Sequence, residues 1–135
     1  MKRLIFLFSL LLAASVAGAQ APYRVVFDIT SKDSLSQKAV MRWVNEIAAA
    51  HPDAQLEIVF YGQSLNMVTK GSPLTDAVKN AASNKIVSFK VCAMAMQRNN
   101  IIESQLLPGV TVVPDGIYEI ISRQHDGWGY IKVAL

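Results

Sequence analysis

The chain contains a single cysteine, Cys92, and its neighbours place it where a thiol can be reactive. Ile86 to Val91 reads as an apolar strand, and Ala93 to Asn99 is built from good helix formers with no breaker. Cys92 is therefore expected at a strand end just ahead of a helix. Unpaired N–H groups and the positive end of the dipole at a helix N-terminus would favour thiolate, the nucleophilic form, over thiol. Arg98, a turn or two further on, is a candidate thiolate stabiliser. The same spacing also suits a small hydrophobe closing a core strand, since free cysteine is among the most buried residue types. Both readings stay open on the residues alone.

Other chemistries find less support. Cys92, His51 and His125 could suggest a Cys-His nucleophile pair or a metal site. However, His51 falls at the far end of the first helix and no ligand pair has i, i+4 spacing, so no metal is expected. His125 lies in Arg123-Gln124-His125-Asp126-Gly127, a helix terminus where a cation complements the dipole. Met94 and Met96 suit a core or an interface better than a copper site, which needs more soft ligands close by. Thr30-Ser31-Lys32-Asp33-Ser34 follows the first strand without a glycine, which excludes dinucleotide and P-loop phosphate cradles. No Gly-x-Ser-x-Gly elbow occurs either. No cofactor is expected.

The first residues read as an address. Lys2 and Arg3 precede an apolar run from Leu4 to Leu12 broken only by Ser9, and Ala17-Gly18-Ala19 supplies a small-residue cleavage site. The run is shorter than the roughly 20 apolar residues of a membrane span. A Sec-type signal peptide over residues 1–19, export to the periplasm and no membrane attachment after cleavage are the expectation. Cleavage after Ala19 is preferred over Ala21, where Pro22 would follow the cut. It leaves 116 residues, enough for one domain over 20–135, with eleven basic against ten acidic side chains. That near-neutral balance, with no basic patch interleaved with aromatics, argues against nucleic-acid partners. A lone thiol in an oxidising compartment is itself unusual.

The elements that must position Cys92 follow from periodicity. Tyr23 to Thr30 reads as a strand with too little alternation for an exposed face, so a central position is expected. Ser34 and Gln37 form a capping-box pattern, followed by Leu35, Val40, Trp43, Val44 and Ile47 at helical spacing up to His51-Pro52. Gln55 to Tyr61 is a second strand, and Gln63 to Gly71 a polar loop. Ser72 and Pro73 then suit the start of a helix with Leu74, Ala77, Val78 and Ala81 on its apolar face. Val110 to Val113 is a short strand, Ile117, Ile120 and Ile121 mark another helix, and Trp128 to Val133 is the last strand.

Such alternation predicts an α/β fold: a three-layer α/β/α sandwich with a mainly parallel five-stranded sheet. In sheets of this kind sites lie outside the carboxyl ends of the strands. The loops after Thr30, Tyr61, Val91 and Val113 are therefore the places to look.

With these elements in place, the chain resembles the DsrE/DsrF-like (YchN-like) family. The likeness rests on Val91-Cys92-Ala93-Met94-Ala95-Met96, Ile101 to Leu107, Pro108-Gly109-Val110, Val113-Pro114-Asp115-Gly116-Ile117 and Gly127-Trp128-Gly129-Tyr130-Ile131. Sulfur-relay members carry a pattern like Cys-x-x-Ala-x-x-Arg-x-Gly-Ile/Val after the third strand. Cys92, Ala95, Arg98 and Ile101 fall in register with it. Asn100 replaces the glycine, and asparagine tolerates a left-handed turn. The resemblance implies a sulfur carrier or sulfurtransferase that forms a persulfide on Cys92, with donor and acceptor proteins or small sulfur compounds as partners. It also implies a homotrimer or hexamer, to which Met94, Met96, Ile101, Ile102, Leu106 and Leu107 could contribute apolar surface. The alternative is a non-enzymatic oligomeric binding or scaffold protein with an inert cysteine.

Overall fold

The computed structural model describes residues 21–134; the expected signal peptide lies outside the described residues. Each apolar run becomes a strand: β1 Arg24–Ile29, β2 Gln55–Phe60, β3 Val87–Cys92, β4 Val110–Val113 and β5 Gly129–Val133. The helices are α1 Ser34–Ala50, α2 Thr75–Ala82, α3 Ala93–Arg98 and α4 Gly116–His125. Among the described residues no helix is long and apolar enough to cross a membrane.

All five strands run parallel in the order β4-β3-β2-β1-β5. Three successive crossovers carry the chain from β1 to β4 in one direction, so right-handed connections place α1, α2 and α3 on one face. The return from β4 to β5 runs the other way, which puts α4 on the opposite face, against β1, β2, β3 and β5. The result is the three-layer sandwich, with unequal outer layers.

Strand alternation separates two cores. Phe27, Ile29, Leu56, Ile58, Phe60, Phe89 and Val91 meet Val40, Val44 and Val78 beneath α1 and α2. On the α4 face only Val26, Val59 and Ile120 are buried together, with Tyr61 and Trp128 at their margin. That face also carries the sheet's charged side chains.

Several local expectations are corrected. Asp33, rather than Ser34, caps α1: its Oδ2 accepts the Ser36 N–H at 2.8 Å. Gln37 does not turn back to the cap; its amide donates to Asn66 Oδ1 at 2.8 Å, 29 residues away. Leu35 is 64% exposed, because the face of α1 against the sheet begins at Ser36. The segment from Gln63 to Gly71 is not a plain polar loop. Ser64–Met67 forms a 3₁₀ turn that buries Leu65 and Met67, and Thr69 bridges to Leu106. Ser72 and Pro73 precede α2 in a turn held by Thr75 Oγ1 donating to the Ser72 carbonyl at 2.7 Å, so the helix starts two residues later.

Candidate functional site

β3 ends on Cys92, which has extended backbone angles and is the N-cap residue of α3. Its carboxyl-edge neighbours follow from register. One step beyond the paired residues Ile29, Phe60 and Val91 stand Thr30, Tyr61 and Cys92, side by side and pointing to the α4 face. The thiol is 6% exposed. Gly116, the first residue of α4, lies directly over it: a methyl group there would stand 3.0 Å from Cys92 Cβ and 3.8 Å from Sγ. Asp115 caps α4 by accepting from the Ile117 and Tyr118 N–H groups at 2.9 and 3.3 Å, which fixes where Gly116 sits.

Arg98 lies in the last turn of α3 and is exposed. Cys92 is at the opposite end of that helix, about 9 Å of rise away. Within one subunit the helix therefore separates the two candidate residues along its axis. At its C-terminal position Arg98 complements the α3 dipole. Asn100 has φ +54°, the left-handed conformation expected of the residue standing in place of glycine. Beside it Asn99 ties the end of α3 to the turn after β2, donating to the Gly62 carbonyl at 3.3 Å and the Ala95 carbonyl at 2.8 Å. His51 caps the C-terminus of α1 and stacks on Tyr23 at 4.6 Å, beside the amino end of β1 and away from the carboxyl edge that carries Cys92. His125 ends α4. Among the described residues no three His, Cys, Asp or Glu side chains converge on a point that could hold a metal.

The same edge carries a polar group that the motifs do not reveal. Asp28 is 4% exposed and accepts from Tyr130 Oη at 2.6 Å and Lys132 Nζ at 2.9 Å. Lys132 also donates to Thr30 Oγ1 at 3.2 Å and lies 5.5 Å from the centre of the Tyr61 ring. Burial pushes the Tyr61 phenol well above its ordinary value, and the adjacent Asp28 carboxylate adds to this. The hydrogen bond to Asp28 is the main reason that Tyr130 is raised to about 12. Both phenols thus remain protonated donors at neutral pH. The available signal was Asp28 itself, a charge in the apolar run Val25-Val26-Phe27-Asp28-Ile29, which requires a partner when buried.

A second buried acid lies further down the same face. Glu57, 1% exposed, accepts from Arg123 Nε at 3.0 Å and Nη2 at 2.9 Å, and from Ser88 Oγ at 3.2 Å. Burial pushes its carboxyl up while Arg123 opposes the shift; the guanidinium is in turn raised, chiefly by its hydrogen bond to Glu57.

Comparison with known proteins agrees with this architecture. A protein of unknown function, MTH1491 from Methanobacterium thermoautotrophicum, superposes with a TM-score of 0.78 at 29% identity, covering 82% of this chain and 98% of that one. The ychN protein from E. coli superposes with a TM-score of 0.69 at 12% identity, over 82% and 98% of the two chains. BT1422 from Bacteroides thetaiotaomicron, also of unknown function, has a TM-score of 0.63 at 12% identity, over 82% and 95%. At 12% identity these last two show a shared fold alone. No curated protein matched the chain. The sequence pattern of one family spans residues 24–133, from the first residue of β1 to the last of β5. The chain belongs to the DsrE/DsrF-like family.

Proposed function

We propose that this protein is a sulfur carrier that forms a persulfide on Cys92, working in the periplasm after removal of residues 1–19. The observation that carries the reading is the place of Cys92. The chain's single thiol ends β3 at the carboxyl edge of a parallel sheet, under a residue with no side chain, in a family whose fold is of sulfur-relay type. Small sulfur compounds or partner proteins supply and receive the sulfur, and a homotrimer or hexamer is the working form. Met96, Leu106 and Leu107 are buried in the subunit's own core, so of the expected apolar surface Met94 and Ile102 remain exposed, and Ile117, Tyr118 and Ile121 on α4 add to it.

The chemistry needs no oxidant. Cys92 as thiolate attacks the outer sulfur of a donor persulfide R–S–S⁻. A new S–S bond forms at Cys92, the donor S–S bond breaks, and R–S⁻ leaves with the electron pair. An acceptor thiolate then attacks the outer sulfur of the Cys92 persulfide and regenerates the Cys92 thiolate. Gly116 packs close over the thiol without a side chain, and the neighbouring protonated phenol of Tyr61 is a hydrogen-bond donor on the same face.

Burial of Cys92 favours a second reading, in which the thiol is inert and the protein is an oligomeric binding or scaffold protein. Intact mass after incubation with polysulfide separates the two. The carrier gains about 32 Da, the gain is reversed by reductant, and Cys92→Ser abolishes it. A native thiol that takes up no sulfur, yet is alkylated once the chain is unfolded, overturns the carrier reading.

A further inference from the structure

β3 is an interior strand of a parallel sheet, a position that normally reads as continuous apolar sequence because helices cover both faces. It reads instead Val87-Ser88-Phe89-Lys90-Val91-Cys92, with Ser88 and Lys90 on the α4 face. Among the described residues α4 is the one helix on that face, and beside its C-terminal half a cleft of about 380 Å³ remains. Its floor is Glu57, Ser88 and Lys90, and its walls include Lys85, Arg123 and Trp128. Along β3 the cleft floor lies about 13 Å from Cys92 at Ser88 and about 7 Å at Lys90.

The hydrogen-bonding state of this cleft is one-sided. Both oxygens of Glu57 are occupied by Arg123 and Ser88, and Arg123 also holds Glu119 at 3.0 Å. These bonds fix the guanidinium 5.0 Å from the centre of the Trp128 ring. Among the described residues Lys85 and Lys90 form no ion pair. With Asp53 at the rim, the lining carries three cations against two carboxylates. What the cleft offers a ligand is therefore ammonium donors and the part of the Trp128 indole that Arg123 does not cover, with the buried acid already satisfied.

From this arrangement we infer that the cleft binds a small organic anion, its carboxylate, sulfonate or phosphate head on Lys90 and Lys85 and its flat apolar part along Trp128. The volume falls at the lower end of the roughly 300–1,000 Å³ typical of small-molecule sites, which limits the ligand to one ring or a short chain. A half-buried lysine held on a sheet floor gains from an anion what the chain does not provide. Cys92 is not among the residues that line the cleft.

Benzenesulfonate is a suitable probe, with neutral benzenesulfonamide as its isosteric control, read by NMR from the Trp128 indole N–H of the purified protein. A saturable shift is expected with benzenesulfonate. The affinity should be at least tenfold weaker for the sulfonamide and for Lys90→Gln, and weakened in Lys85→Gln, while thermal unfolding stays unchanged. Equal binding of the sulfonamide, equal binding by both variants, or no saturable shift overturns the inference. So does an indole shift that follows protein rather than probe concentration, which assigns the cleft to a self-contact. Cys92→Ser should bind the probe as wild type does, so failure here leaves the sulfur-carrier reading standing, and the reverse also holds.

Discussion

Gly116 and Cys92, 24 positions apart in sequence, lie so close that a methyl group at 116 would be crowded against the cysteine. A methyl group at 116 would stand 3.0 Å from Cys92 Cβ and 3.2 Å from Val59 Cγ1. Gly116→Ala should therefore push the start of α4 off the sheet, costing about 1–3 kcal/mol. On the proposed carrier reading it should also slow sulfur uptake at Cys92 by adding a methyl group about 3.8 Å from Sγ. Urea unfolding and the rate of the mass gain measure the two effects; unchanged values for both would show that the strands yield freely at this point.

Arg98 tests how far the family pattern acts within one subunit. Separated from Cys92 by the length of α3 and exposed to solvent, its charge is screened over a Debye length of about 8 Å at physiological salt. Arg98→Gln is expected to leave alkylation of native Cys92 within about twofold of wild type. A larger drop at physiological salt would place Arg98 at the sulfur site, reached through another subunit.

Glu57 and Arg123 are joined across 66 residues by a two-point contact. Arg123→Met leaves a buried carboxylate without its cation and should cost about 2–3 kcal/mol, less than for a fully enclosed pair because Arg123 is 30% exposed. Without its opposing partner the Glu57 carboxyl rises further, and the folded variant binds a proton more readily than the unfolded chain. The variant's deficit should then be smallest below the ordinary value of 4.5 and grow as pH rises through the raised folded value. Glu57→Gln combined with Arg123→Met should recover most of the loss at neutral pH. Urea midpoints across this range check the sign.

Asp33 should behave oppositely. Its hydrogen bond from the Ser36 N–H holds the carboxyl below its ordinary 3.8, so its contribution to α1 is present above that value and lost as pH falls through the depressed one. Asp33→Ala should lower the thermal midpoint at neutral pH, with the gap narrowing on acidification. Asp33→Asn, which still caps, should recover most of it.

Much of the architecture was legible in order. The strand runs Val25-Val26-Phe27, Ile58-Val59-Phe60 and Val110 to Val113, the helical spacing of Val40 and Val44, and the left-handed tolerance of Asn100 are properties of local backbone and neighbouring side chains. They survive with boundary shifts of a residue or two. Local reasoning failed where a side chain had more than one partner within reach. Ser34 and Gln37 matched a capping box, yet Asp33 took the helix end and Gln37 crossed to Asn66. Ile117 and Ile121 marked α4 correctly but face outward, because only Ile120 meets Val26 and Val59.

By itself the sequence determined the elements, their alternation, the parallel layered class and the position of Cys92 at a strand end, since each depends on periodicities of two and 3.6 residues or on short-range turn chemistry. Tertiary structure alone decided the order β4-β3-β2-β1-β5, the placing of α4 on the face opposite the other helices, the cover of Gly116 over Cys92 and the separation of Arg98 from it. It also decided which buried acid meets which cation: Asp28 with Lys132 across 104 residues, and Glu57 with Arg123. The reason is physical. A buried charge announces that it needs a partner, but the partner's identity depends on which strands lie side by side, and that is settled by packing over the whole sheet.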